Sequence, residues 1–172
     1  MLVRKWSVKQ LAFADFYQGS REACLRAVLA SVADRELAED LVAEAYTRAW
    51  LSWHAVSRHP APRAWIVRTA LNTNVSWWRR RRGEATFDRG RDVVHATTDA
   101  DTGLDPSLRE MLRRLPKRER EVIALRVFLD LDTRGTAEVL GIAEGTVRAH
   151  LSRAIATLRG YFAADHQQEV VP

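Results

Sequence analysis

Cysteine is almost absent. Cys24 is the single one in 172 residues, so neither an internal disulfide nor a cysteine-rich zinc site can form. The five histidines, at 54, 59, 95, 150 and 166, contain no HxH or HxxxH pair, and no carboxylate shares the face of His54 and His59 to complete a metal site. Long apolar runs are missing as well. None is long enough to span a bilayer and no signal-peptide pattern opens the chain, so a cytoplasmic protein without a membrane partner is expected. Catalytic signatures are lacking too: there is no P-loop, no GxSxG and no HExxH. Asp99, Asp101 and Gly103 form a DxDxG fragment without the later Glu of a calcium loop. Cys24 lies beside Leu25 and Val28 on an apolar helical face, which suits a buried structural thiol better than a nucleophile. Neither a cofactor nor an enzymatic activity is expected.

Lysine is also scarce. Of 27 basic side chains only Lys5, Lys9 and Lys117 are lysine, and the rest are arginine, whose planar fork grips phosphate in bidentate fashion. Set against 22 acids the chain is +5, which favours a polyanionic partner such as nucleic acid. The charge is unevenly spread. Residues 1–82 carry 14 basic and 7 acidic side chains, residues 83–106 carry 2 and 6, and residues 107–172 carry 11 and 9. The middle segment also holds three of the eight glycines and no apolar periodicity, so it reads as an acidic, flexible linker.

No alternation of apolar and polar residues suggests a strand, and both flanks carry helical periodicity. Leu25, Val28, Leu29 and Val32 mark one helix. A second covers 34–53, with Leu37, Leu41, Val42, Ala45, Tyr46, Ala49 and Trp50 on a broad apolar face. Pro60 and Pro62 favour a stop, a turn and a fresh helix over 64–82. Beyond the linker, Pro116 and Gly141 help divide the chain into segments 108–115, 117–128, 133–140 and 144–162. The expected architecture is all-α: two small helical domains, 10–82 and 107–163, joined by a linker at 83–106 and followed by a tail at 164–172.

The strongest local motif is TRGTAEVLGIAEGTVRAHLSR, residues 133–153. Ala137, Gly141 and Val147 match a helix-turn-helix: a small residue where the helices meet, glycine at the turn, and a branched residue packing back. The second helix is expected to start near Glu144. Its outward face would carry Glu144, Arg148, Ala149, Ser152 and Arg153, with His150 beside them. Arg148 has the geometry to take guanine bidentately, and Glu144 to accept from cytosine N4.

A second motif is PRAWIVRTALNTNVSWWRRRR, residues 62–82, with six arginines and no acid. Aromatic rings beside arginines suit unstacked bases, offering a stacking surface and a phosphate clamp. Asn72 and Asn74 can hydrogen-bond a base edge. Trp65 is expected in the core, whereas Trp77 and Trp78 fit either the core or a base-stacking role. A third feature is acidic: Asp34, Glu36, Glu39, Asp40 and Glu44 crowd one helix of a basic domain. Helix-start electrostatics account for Asp34 and Glu36. Asp40 and Glu44 lie deeper and suit a protein partner bearing basic residues.

Taken together these pieces resemble the sigma-70-type initiation factors, and more narrowly their extracytoplasmic function (ECF) group, which keeps only domains two and four. ELAEDLVAEAYTRAW, residues 36–50, looks like the segment that docks on the clamp helices of the largest polymerase subunit. PRAWIVRTALN, residues 62–72, looks like the segment that captures the −10 element, and residues 112–159 look like the region that reads the −35 element. The resemblance implies a factor that binds core RNA polymerase through clamp helices and flap, contacts promoter DNA in duplex and single-stranded form, and is held by an anti-sigma factor. It implies −35 contacts from Glu144, Thr146, Arg148, Ala149, His150, Ser152 and Arg153. It implies −10 capture and melting by Ser57, Arg58, His59, Arg63, Arg68, Asn72, Trp77, Trp78, Arg79 and Arg80. Polymerase docking would fall to Glu39, Asp40, Leu41, Ala43, Glu44 and Arg48. In this family the two elements lie about 25 base pairs apart, roughly 80 Å at about 3.4 Å per step. The alternative is a stand-alone helix-turn-helix regulator acting as a dimer, which needs neither the Trp-Trp-Arg helix nor the acidic one.

Overall fold

A computed structural model describes the backbone of residues 7–84 and 105–168, and the side chains of residues 7–79 and 105–163. Every regular element among them is helical: α1 (Val8–Val32), α2 (Arg35–Leu51), α3 (Trp53–Val56), α4 (Pro62–Glu84), α5 (Pro106–Arg114), α6 (Lys117–Phe128), α7 (Thr133–Leu140) and α8 (Glu144–Gln168). Most of the expected linker, residues 85–104, lies outside the described residues. Asp105 does not behave as a linker acid. Its carboxylate accepts from the backbone N–H of Ser107 and Leu108 and caps α5, with Pro106 opening the helix.

The helix starts follow from side-chain chemistry. Ser7 and Gln10 form a reciprocal capping box at α1. Asp34 caps α2 through the Leu37 N–H at 3.0 Å, and Asp132 caps α7 through Gly135 at 2.7 Å. α1 is longer than the sequence suggests, because its first half is held by aromatic packing rather than by an aliphatic stripe. Phe13 and Phe16 each meet the Trp53 ring at 5.2 Å, and Tyr17 meets Tyr46 edge-on at 4.8 Å. The short α3 was also not expected; it buries Trp53 and Val56 beneath this cluster.

Helices α1, α2 and α4 pack on one another around Cys24, Val28, Leu41, Ala45, Ile66 and Val67. The Tyr46 hydroxyl bonds Ser20 Oγ at 2.7 Å, and Cys24 Sγ points at the Arg63 carbonyl at 3.8 Å. Burial pushes the Cys24 thiol up to about 11, and burial likewise raises the Tyr46 phenol. Both stay protonated as structural groups. Helices α6, α7 and α8 form the second packing unit, with Val122, Ala137 and Val147 at its centre. α8 continues to Gln168, so the first residues of the expected tail at 164–172 belong to a helix. The two units are in contact: α6 lies along α1, and α7 lies against α4.

Candidate nucleic-acid interface

The α7–α8 pair has the expected helix-turn-helix geometry. Gly141 ends α7 in the left-handed region, φ 64°, where its N–H bonds the Ala137 carbonyl. Ile142 N–H then bonds the same carbonyl at 3.1 Å, and α8 begins two residues later. Ala137 and Val147 are buried against Val122, so the three residues that signalled the motif are the ones that set the crossing. Glu144, Thr146, Arg148, Ala149, Ser152 and Arg153 are all exposed on α8, and His150 is partly so.

These side chains are not equally available. Arg148 pairs with Glu144 at 2.9 Å, but both are well exposed, so the pair is weak and gives way easily to another partner. Arg153 is committed. Its Nε donates to Glu119, a side chain only 8% exposed, at 3.1 Å, and its Nη2 lies 2.9 Å from His150 Nδ1. This bond ties α8 to α6 across 34 residues, which no local pattern reveals. Arg153 is therefore first a structural tie between helices.

On α4, the exposed residues Arg68, Asn72, Ser76 and Arg79 recur at helical spacing with the half-buried Trp65 and Thr69. The structure separates the two tryptophans that the sequence leaves open. Trp77 packs against the core, whereas Trp78 is 48% exposed. Trp65 was expected in the core; it does pack there, and one edge also lines an open cleft of about 410 Å³. Thr69 and Asn72 continue that lining, and Arg48, Leu51 and Ser52 close it from the end of α2. Arg63 is turned to α1, donating to the Gly19 carbonyl at 3.0 Å. The Arg80 side chain lies outside the described residues. The 57–61 loop precedes α4. Ser57, Arg58 and His59 are exposed there, and His59 Nδ1 accepts the Ala61 N–H at 3.0 Å.

The acidic helix α2 presents Asp40 and Ala43 to solvent. Asp40 has no ion-pair or hydrogen-bond partner among the described residues. Glu44 pairs with Arg48 at 2.7 Å, and Glu39 with Arg35 at 2.9 Å. Leu41 is a correction: it is fully buried and faces the core, so it supports the helix and cannot touch a partner. Arg48 lines the same cleft as Asn72. No group of three or more His, Cys, Asp or Glu side chains able to hold a metal occurs among the described residues. No described helix is long and apolar enough to cross a membrane.

A helix-turn-helix with an exposed reading face, plus a second arginine-rich helix with an exposed tryptophan, defines a helical nucleic-acid-binding protein. Residues 12–84 match sigma-70 region 2 and residues 106–158 match sigma-70 region 4. The sigma-E factor of Streptomyces coelicolor is 31% identical over 153 residues, covering 87% of this chain and 85% of that protein. The ECF sigma factor SigL of Mycobacterium tuberculosis is 31% identical over 147 residues, covering 78% and 79%. Among solved structures, the sigma factor RpoE of Bartonella quintana, in complex with the anti-sigma factor NepR, superposes with a TM-score of 0.66 at 26% identity. That match covers 88% of this chain and 98% of the other. The chain belongs to the sigma-70 family of RNA polymerase sigma factors, in its ECF group: transcription initiation factors rather than enzymes.

Proposed function

We propose that this chain directs core RNA polymerase to promoters by reading the −35 element as duplex and capturing the −10 element as opened single strand. The reading is supported chiefly by α4. This helix holds Trp77 inside and Trp78 outside, with Arg68, Asn72 and Arg79 exposed elsewhere along it and no acid between residues 62 and 83. A duplex reader needs no exposed tryptophan in an arginine-rich face, whereas unstacked bases do. That feature also disfavours the stand-alone regulator.

Each part has a physical role. Thr146, Arg148, Ala149 and Ser152, in the first turns of α8, enter the major groove, where Arg148 exchanges Glu144 for a base edge or phosphate. Opening a base costs a few kcal/mol. Stacking on Trp78 and phosphate contacts from Arg68 and Arg79 offset that cost, and Asn72 offers its amide to a base edge. Ser57, Arg58 and His59 form the wall on which an extruded base is held. Asp40, Ala43 and Glu44 form the docking strip for the polymerase clamp helices, with the flap engaging the α5–α8 unit. An anti-sigma factor is a further expected partner, as in the solved relative. The test is reconstituted initiation on a promoter whose two elements are about 25 base pairs apart. Start sites that appear only with the chain present support the reading. Binding to duplex DNA as a dimer with no polymerase-dependent start site overturns it.

A further inference from the structure

One aromatic ring, at the corner where α1 begins and α2 ends, is fixed in place without being closed off. Trp50, in the last turn of α2, is only half-buried. Phe13 meets it at 5.2 Å with the planes 63° apart, which sets the orientation of the ring. Lys9, in the first turn of α1, holds its ammonium 4.4 Å from the ring centre. An exposed contact of this kind is weak, so the ammonium can leave the ring for an anion. Leu51, one residue on, is 76% exposed and lines the open cleft with Trp65 and Asn72. Arg48 lines that cleft as well. No acid occurs in residues 7–14 or 45–52, so these two helix ends carry nothing that repels phosphate.

A ring face with a cation beside it is what an unstacked base and its phosphate require. Trp78 offers such a surface at the far end of α4. Trp65, at the cleft, lies 13 residues before Trp78, about 20 Å along the helix. A strand laid from Trp78 to the cleft therefore arrives at the end of α2, where Leu51 and Trp50 follow one another. We propose that Trp50 and Lys9 form a second stacking site for single-stranded DNA. The ring takes a base of the opened strand beyond the cleft, on the side away from Trp78, and Lys9 moves from the ring to the adjoining phosphate. Stacking reads no base edge, so the site tolerates any sequence. The inference rests on the sigma reading for the source of the strand, but its contacts are a property of the chain alone.

Titration of the full-length chain with a fluorescent oligothymidylate of about 16 nucleotides tests this, since strands of that length span several stacking positions. Trp50→Leu should weaken binding by about tenfold, the loss of one stacked base. The effect should add to that of Trp78→Ala in the double variant, because the two rings hold different bases of one strand. Lys9→Gln should make the dependence of log K on log salt shallower by about 0.7, the share of one phosphate contact on a single strand. Lys9 is exposed, so this variant carries the test if Trp50→Leu loses helicity. Wild-type affinity and wild-type salt dependence in folded variants overturn the site. So does a loss of co-elution with core polymerase at unchanged strand affinity, which would make this corner a protein-docking surface. Binding that depends on Trp78 but not on Trp50 overturns the site and leaves the sigma reading standing. A chain whose strand binding depends on Trp50 and Lys9, yet which gives no polymerase-dependent start site, overturns the sigma reading and leaves the site standing.

Discussion

Trp77 and Trp78 are adjacent in sequence but differ in surroundings, so alanine at each should give opposite outcomes. Trp77 is half-buried and packs against the core. Truncating a buried tryptophan costs about 3–5 kcal/mol, and partial burial reduces this to about 2–3 kcal/mol. At about 2–4 °C per kcal/mol for a chain of this size, the melting temperature should fall by roughly 5–10 °C. Trp78 is 48% exposed. Its removal should cost about 1 kcal/mol, well short of the Trp77 loss, but take away a stacking surface worth about 1–3 kcal/mol per base. That is roughly a five- to 150-fold loss of competitor-resistant open complex, read by permanganate reactivity of unpaired −10 thymines with core polymerase present. Binding to an isolated −35 duplex should be unchanged. The reasoning is refuted if Trp78→Ala forms open complexes at the wild-type level. It is equally refuted if Trp78→Ala lowers the melting temperature as much as Trp77→Ala does.

Other predictions concern single contacts. Arg148→Ala should weaken −35 duplex binding by about 1–3 kcal/mol while leaving the melting temperature within a degree or two, because its pair with Glu144 is exposed; a fluorescence titration that found wild-type affinity would remove Arg148 from the reading face. Glu119→Gln should lower the denaturant midpoint by the equivalent of about 1 kcal/mol, since it leaves the Arg153 tie without its buried charge; an unmoved midpoint would show that the tie contributes nothing. Cys24 should resist thiol reagents in the native protein at pH 8 and react on unfolding. Its pKa is raised by burial, from 9.0 to about 11, so the fold keeps a proton that the unfolded chain releases. Its contribution is therefore fully present below pH 9 and is lost as pH rises towards 11. Native reactivity at pH 8 equal to that of unfolded protein would contradict the burial argument.

What could be read from the sequence was local. Gly141 marked the turn because a helix end in the left-handed region favours glycine, and Ala137 and Val147 followed at fixed offsets. Asp34, Pro62 and Pro116 marked helix starts through capping and fixed φ. What could not be read depends on contacts between distant residues. Phe13 and Phe16 extend α1 towards its N-terminus only because Trp53 and Tyr46 lie opposite. Leu41 fell within an acidic run and looked like part of a docking strip, yet its helical phase turns it to the core. Arg153 lies on the expected outward face, but its bond to the buried Glu119, 34 residues away, leaves no trace in local spacing. Arg113 and Arg120 had no visible role, because their acceptors are backbone carbonyls more than 75 residues away. A periodicity argument finds faces, and it does not find what a buried guanidinium clasps.

The proposed function makes this chain a dissociable polymerase subunit docked through α2. The most direct test is co-elution of the full-length chain with sigma-free core RNA polymerase on a sizing column, beside an Asp40→Ala/Glu44→Ala variant. Both positions are accessible on α2, and neither is in the core. Stoichiometric co-elution of the wild type is expected, with clear weakening in the variant at unchanged helicity. A wild-type chain that stays apart from core polymerase would contradict it.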